Sequence, residues 1–224
     1  MQTVPKKMQT PRDPALVARR QDEILESAAR FFSEHGYQNA DMQSLANELN
    51  VGKGTLYRYF PSKEELFFEA NERGMRLLQE YIDSKRDRSL SALEQVRAAI
   101  RTFFRFFDEN HQYLELLIQE RAEFKNRREP TYLKQCERGQ KNWADLEQHL
   151  FETGMLRRKP NKTVDHTVNN MLYGTLFTSY FAGDTRFEDH TDRVVEVLLC
   201  GLLSPSAQED FLATTSEDPG KPKC

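Results

Sequence analysis

Between Glu48 and Glu64 the chain carries no acidic residue, yet Lys53, Arg58 and Lys63 all fall in that window, interleaved with Gly52, Gly54, Thr55, Tyr57 and Tyr59. Basic side chains neutralise phosphates, each contact steepening the salt dependence of binding by about 0.9 in log–log slope. Glycine costs roughly 1 kcal/mol in a helix interior relative to alanine. Two glycines this close together point to a backbone that another surface must approach. The free N–H groups and positive dipole end of a helix starting there favour an anion such as a backbone phosphate. The chemistry these residues suit is recognition of a polyanion.

Other chemistries fail on spacing. The tetrapeptide at Gly52–Thr55 has the look of a phosphate-binding P-loop, but that pattern needs a glycine at position 47 and Ser or Thr directly after the lysine. Asn47 and Gly54 stand there instead. No Ser/His/Asp, Cys/His or paired-carboxylate arrangement stands out for catalysis. His111, His149, His166 and His190 form no ligand pair at helical spacing. The reading therefore assigns no catalytic residue, no metal site and no cofactor, and treats the chain as a non-enzyme.

The elements that must position the basic window are helical, because apolar residues recur with the 3.6-residue period and almost nowhere alternate. Asp13-Pro14 starts a first helix with the stripe Ile24, Leu25, Ala28, Phe31 and Phe32, and Gly36 caps its end. Asp41 caps a short helix burying Met42, Leu45, Ala46 and Leu49. Asn50-Val51-Gly52 is a turn, since Asn tolerates positive φ. A further short helix runs from about Lys53 to Tyr59, stopped by Pro61, and Ser62 with Glu65 makes a capping box for a long fourth helix. Two short helices across a tight turn, braced by a longer one, are the parts of a helix-turn-helix DNA reader. Val51, Leu56 and Phe60 supply its apolar side, leaving Lys53, Gly54, Thr55, Tyr57, Arg58 and Tyr59 mainly outward.

Residues 19–67, from the Ala-Ala-Arg-Phe-Phe and His-Gly-Tyr of the first helix through Lys-Gly-Thr-Leu-Tyr to Phe-Pro-Ser-Lys, closely resemble the N-terminal domain of the TetR family of bacterial transcriptional regulators. The resemblance implies a homodimer, a divergent all-helical C-terminal domain and repression relieved by a small molecule. The sequence departs from the family's common pattern at Asp41, Gln43, Asn50 and Tyr59, where Thr, Arg, Gly and His are frequent. Gln43, Lys53, Gly54 and Thr55 are assigned to the groove floor and base edges, where Gln pairs with adenine and Lys with guanine. Tyr57, Tyr59, Lys63 and Arg58 are assigned to phosphates. Lys6, Lys7, Arg12, Arg19 and Arg20 add positive charge nearby.

The frame is consistent with this placement. The 224 residues suffice for one large or two small domains, and a net charge of −3 confines any nucleic-acid contact to a local patch. The polar N-terminus and the lack of a long apolar run point to no membrane partner, and the resemblance implies a cytoplasmic, nucleoid-associated protein. Three separated cysteines, Cys136, Cys200 and Cys224, fit reduced thiols. The expected architecture is all-α with about nine helices. It comprises a flexible arm over 1–14, a DNA-binding domain over 15–62, an effector-binding and dimerisation domain over 63–205, and a disordered tail over 206–224.

Within the C-terminal half, the aromatic load suggests a pocket for a largely apolar or aromatic effector, with Phe103, Phe107, Tyr113, Trp143, Tyr173 and Phe177 as candidate walls. By the resemblance, the last two long helices pair between copies, which assigns Leu172, Leu176, Val194, Leu198 and Leu202 to the dimer interface, with Gly174 and Gly201 allowing close approach. A two-fold protein reads a palindromic operator in double-stranded DNA. The leading function is a ligand-released repressor. The alternatives are an effector-independent DNA-binding regulator or activator, and a helical protein that binds or processes a small molecule.

Overall fold

The computed structural model describes residues 13–159 and 161–216, with the side chains of 135–142 and 214–216 outside that description. The basic arm residues Lys6, Lys7 and Arg12, Cys136, Cys224 and the last eight residues therefore lie outside the described part. The described residues form ten α-helices and one 3₁₀ turn. No strand forms among them; one isolated bridge pairs Leu156 with Leu203. Their contacts divide into two compact units, with the division between Arg73 and Gly74. That boundary falls inside a helix, eleven residues beyond the expected one at 62/63.

The N-terminal unit is built from α1 (Pro14–His35), α2 (Met42–Glu48), α3 (Lys53–Tyr59) and the first half of α4 (Lys63–Ser84). Asp13 accepts from the Ala15 amide, Pro14 opens the helix, and Gly36 closes it at φ 75°. The buried stripe of α1, Ile24, Leu25, Ala28, Phe31 and Phe32, meets Met42, Leu45 and Ala46 of α2, Leu56 and Phe60 around α3, and Leu66, Phe67 and Ala70 of α4. Phe32 and Tyr37 both set their rings edge-on to Phe67, with centroids 5.2 and 5.0 Å away. Edge-to-face pairs of this kind add to what burial alone provides. Arg73, with only 9% of its side chain exposed, bonds Asp22 at 2.7 and 2.9 Å and Glu26 at 3.3 Å, tying α4 to α1.

The C-terminal unit contains the rest of α4, α5 (Ala92–Glu109), α6 (His111–Glu123), α7 (Thr131–Glu152), α8 (Lys162–Ala182), the 3₁₀ turn Phe187–His190, α9 (Thr191–Leu202) and α10 (Pro205–Ser216). Ser91 and Glu94 close a complete capping box at the start of α5. That helix is the hub. It buries Ile100, Phe103, Phe104, Phe106 and Phe107, and its polar side pairs Arg97 with Asp192 and Arg105 with Glu188. Asp108 accepts the Phe187 and Glu188 amides at 2.6 and 2.9 Å, fixing the 3₁₀ turn. Buried Glu120 accepts from Arg127 and from both donors of Thr131.

One expectation is overturned by α10. The segment from 206 on is expected to be disordered, yet 206–216 are helical. Pro205 follows Ser204 as Pro14 follows Asp13, and it starts a helix at the edge of the segment expected to be disordered. Ala207 is buried and Gln208 donates to the Cys200 carbonyl, anchoring the first turn. This element also brings the count to ten helices instead of nine.

Among the described glycines, Gly74 has the closest neighbour. A Cβ added there would sit 2.3 Å from Cδ1 of the Tyr113 ring, itself 2% exposed. Such a contact forces a buried ring to shift. We expect Gly74→Ala to destabilise the protein by about 1–3 kcal/mol in urea unfolding; an unchanged midpoint would show that the ring is free to move.

Candidate nucleic-acid interface and ligand cavity

The candidate interface begins with the turn. Asn50 adopts φ 53°, the one non-glycine residue in the left-handed region among those described. The Val51 amide returns to the Ala46 carbonyl at 2.9 Å. This reversal sends the chain into α3, whose cap, Gly52, supplies no side chain and whose carbonyl receives the Thr55 and Leu56 amides. Asp41 caps α2 through the amide and hydroxyl of Ser44, both at 2.9 Å. These bonds, the Ser44 amide first, hold its carboxyl below its usual range.

Outward from this frame, Gln43, Lys53, Gly54 and Arg58 are exposed, while Thr55, Tyr57, Tyr59 and Lys63 are half-buried. A Cβ built on Gly52 or Gly54 would meet nothing within 4 Å, so the tip of α3 is open. Gln43 bonds Asn47 across one turn at 2.9 Å, which orients its amide along the outer face of α2. The Arg58 guanidinium lies 5.8 Å from the Tyr59 ring centroid. Lys63 is more constrained than expected: its Nζ donates to the Gln38 carbonyl at 3.1 Å and sits 4.9 Å from the Tyr37 ring centre. Arg20 likewise has a framework role, bonding the Leu49 carbonyl at the end of α2 and Glu23. Its value as a free phosphate contact is correspondingly lower.

The C-terminal unit holds a cavity of ≈ 210 Å³ between α4, α5, α7 and α8. Of the six aromatics assigned to an effector pocket, Phe103, Trp143 and Tyr173 stand on its wall. Phe107 and Tyr113 do not: at 0% and 2% exposure they are packed in the core. Phe177 lies outside the lining too, with its ring 6.1 Å from those of Tyr132 and Tyr173. The sequence reading missed Glu147, Asp165 and Asn169, which bring polar groups to this wall. A second cavity of ≈ 420 Å³ shares Val96, Glu147, Leu150 and Asp165 with the first and is bordered by Arg157, Leu198 and Leu202.

The interface assignments need correction as well. Leu176, Val194 and Leu198 are 0%, 5% and 6% exposed within the single chain. Leu172 faces the first cavity and Leu202 the second. An amphipathic pattern identifies a buried face without saying whether the same chain or a copy covers it. Other apolar side chains of α8 and α9 are left uncovered by the single chain. Phe181 and Val197 are 71% and 58% exposed, and the open glycines Gly174 and Gly201 lie one or two turns away on the same helices.

Residues 24–70 match the family described as "Bacterial regulatory proteins, tetR family". The chain is 36% identical over 100 residues to YhgD, an uncharacterized HTH-type transcriptional regulator of Bacillus subtilis, covering 45% of this chain and 52% of that protein. It is 32% identical over 111 residues to the nucleoid occlusion factor SlmA of Haemophilus ducreyi, covering 49% and 55% respectively. The chain thus spans about half the length of these relatives. Among solved structures, the TetR family transcriptional regulator PfmR from Thermus thermophilus superposes with a TM-score of 0.62 at 26% identity, over 80% of this chain and 97% of that one.

Glu147 gives the cavity a pH signature. Burial first, and the neighbouring Asp165 charge second, push its carboxyl up to about 7 from 4.5. A carboxyl whose folded value is raised holds its proton longer in the fold than in the unfolded chain. Its penalty is absent below about pH 4.5, grows as pH rises, and is complete above about 7. Glu147→Gln is therefore expected to melt at a higher temperature than the unaltered protein at pH 8, with the gap closing toward pH 4.5. A gap independent of pH would contradict the burial of this charge.

Proposed function

We propose that this chain, whose N-terminal unit is a DNA-binding domain of the TetR family, is a transcriptional regulator that binds a palindromic operator as a homodimer and leaves it when a small, largely apolar molecule enters the C-terminal cavity. The observation that carries this reading is the tip of α3. Gly52 and Gly54 present open backbone beside exposed Lys53, on a helix whose opposite side is sealed by Leu56. A surface with no side chain in the way lets the helix end lie against base edges, while Lys53 and Gln43 supply donors for them. Tyr57, Arg58, Tyr59 and Lys63 fall to either side, suited to phosphates that fix position without reading sequence.

Two-fold pairing would place two such tips one helical turn apart, roughly 34–36 Å, or a modest variant of that. The uncovered stripe of α8 and α9 around Phe181 and Val197 is the surface we assign to pairing, in place of the inward leucines. Ligand control then requires a difference in affinity between two states; a hundredfold loss of operator binding corresponds to about 2.7 kcal/mol of coupling. The helix α4 is placed to take part, because Leu66 and Phe67 belong to the core of the reading head and Leu78 and Ile82 to the cavity wall.

Selection of duplexes from random sequence is expected to enrich a palindrome, and no enrichment at any salt would refute the reading. On the selected duplex, Thr55→Val should cost about 1–3 kcal/mol while random DNA binds as before; equal losses on both would remove Thr55 from base reading. Lys63→Ala should weaken both duplexes equally and lower the salt slope by about 1. Phe181→Glu is expected to convert dimer to monomer in sedimentation velocity, and an unchanged sedimentation coefficient would place the interface elsewhere.

A further inference from the structure

We infer that the molecule accepted by the ≈ 210 Å³ cavity is a lipophilic cation, an apolar or aromatic body carrying one ammonium group, with Glu147 and Asp165 as its counter-charges. This rests on the reading of the C-terminal unit as a ligand-binding domain and names the class of ligand.

Among the described residues, the wall of the cavity is aliphatic and aromatic apart from the amides Gln79 and Asn169 and the acids Glu147 and Asp165. The two charged ones are both acids, and among the described residues no lysine or arginine stands on the lining. Neither acid forms an ion pair or side-chain hydrogen bond with another described residue, and the other groups that bear on them are few. Burial pushes the Asp165 carboxyl up, and the nearby His166 ring offsets that in part. Arg157 borders the adjoining cavity but is committed to the Leu203 and Cys200 carbonyls at 2.9 and 3.1 Å, at the end of α9. Arg158 borders the same cavity, beyond ion-pair distance of either acid.

A half-buried carboxylate without a cation is costly, and the upward displacement of Glu147 is the mark of that cost. A bound cation removes it; a bound anion adds a third negative charge. Aromatic faces strengthen the preference, because Phe103, Trp143 and Tyr173 stand on the same wall and ring faces attract cations. The Arg86 guanidinium lies 4.5 Å from the Trp143 centroid and takes one face of that ring, which leaves Phe103 and Tyr173 as the aromatic partners for a bound cation. The volume suits a small aromatic skeleton, since a cavity of about 150 Å³ accommodates benzene.

The test uses three probes of similar size: benzyltrimethylammonium, its neutral isostere neopentylbenzene, and the anion 4-phenylbutyrate. Trp143 is the single tryptophan of the chain and stands on the wall, so its fluorescence reports occupancy directly. At pH 8 the full-length protein should bind benzyltrimethylammonium at least tenfold more tightly than either other probe. Glu147→Gln and Asp165→Asn should each lose about tenfold for the cation and leave neopentylbenzene within twofold. The inference falls if the neutral probe or the anion binds as tightly as the cation, if both variants keep the cation's affinity, or if none of the three binds. The outcomes separate from the reading it rests on: neopentylbenzene that binds and releases the selected duplex would preserve ligand control and sink the cation. Duplex binding without any probe is scored independently.

Discussion

A single backbone reversal carries the reading head. Asn50 turns at φ 53° and Val51 returns its amide to Ala46, so α3 leaves α2 at a fixed angle with its glycine-thinned end outward. Left-handed backbone is strained for most side chains and tolerable for Asn. The strain is held because the flanking residues are locked: Ala46 is wholly buried, Arg20 grips the Leu49 carbonyl, and Leu56 closes the far side at 1% exposure. Without that frame, a seven-residue helix such as α3 would not persist in water. The open tip and the rigid turn are two aspects of one arrangement.

The C-terminal unit is organised differently, around a helix that is apolar on one side and basic on the other. The phenylalanines of α5 fill the core, while Arg97 and Arg105 reach Asp192 and Glu188 across the exposed side. Those surface pairs contribute little energy each, but they set the register of α5 against α9 and the 3₁₀ turn. Register matters because Phe103 has to end on the cavity wall and Phe107 in the core. The acids Glu147 and Asp165 come from α7 and α8, opposite this hub, and give an otherwise apolar space its electrostatic character.

Local signals were legible in the sequence and distant ones were not. Asp13-Pro14, Gly36, Asp41 and Asn50 each act within a few residues, and the structure has each in its expected conformation. The exposure of Gly54 was legible for the same reason, since it follows from where α3 starts. Phe107 and Phe103, by contrast, lie one turn apart on the same face, and only the fold shows that Phe103 reaches the cavity wall beside Tyr173 of α8 while Phe107 is sealed in the core. Leu176, Val194 and Leu198 show the same limit, since burial by the chain's own core and burial by a partner leave the same apolar pattern. The role of Gly74 depends on Tyr113, thirty-nine positions away, and nothing near Gly74 announces it. The start of α10 was available locally, in a Ser-Pro step that closes one helix region and opens the next.

The claim that α3 enters duplex DNA is tested most directly by backbone hydrogen exchange across residues 50–60, with and without the selected duplex. The first amides of a helix have no partner within it, so those of Lys53 and Gly54 should exchange quickly in the free protein and slow markedly in the complex. Unchanged exchange at Lys53 and Gly54 in a saturated complex, with protection appearing only elsewhere in the chain, would contradict the account.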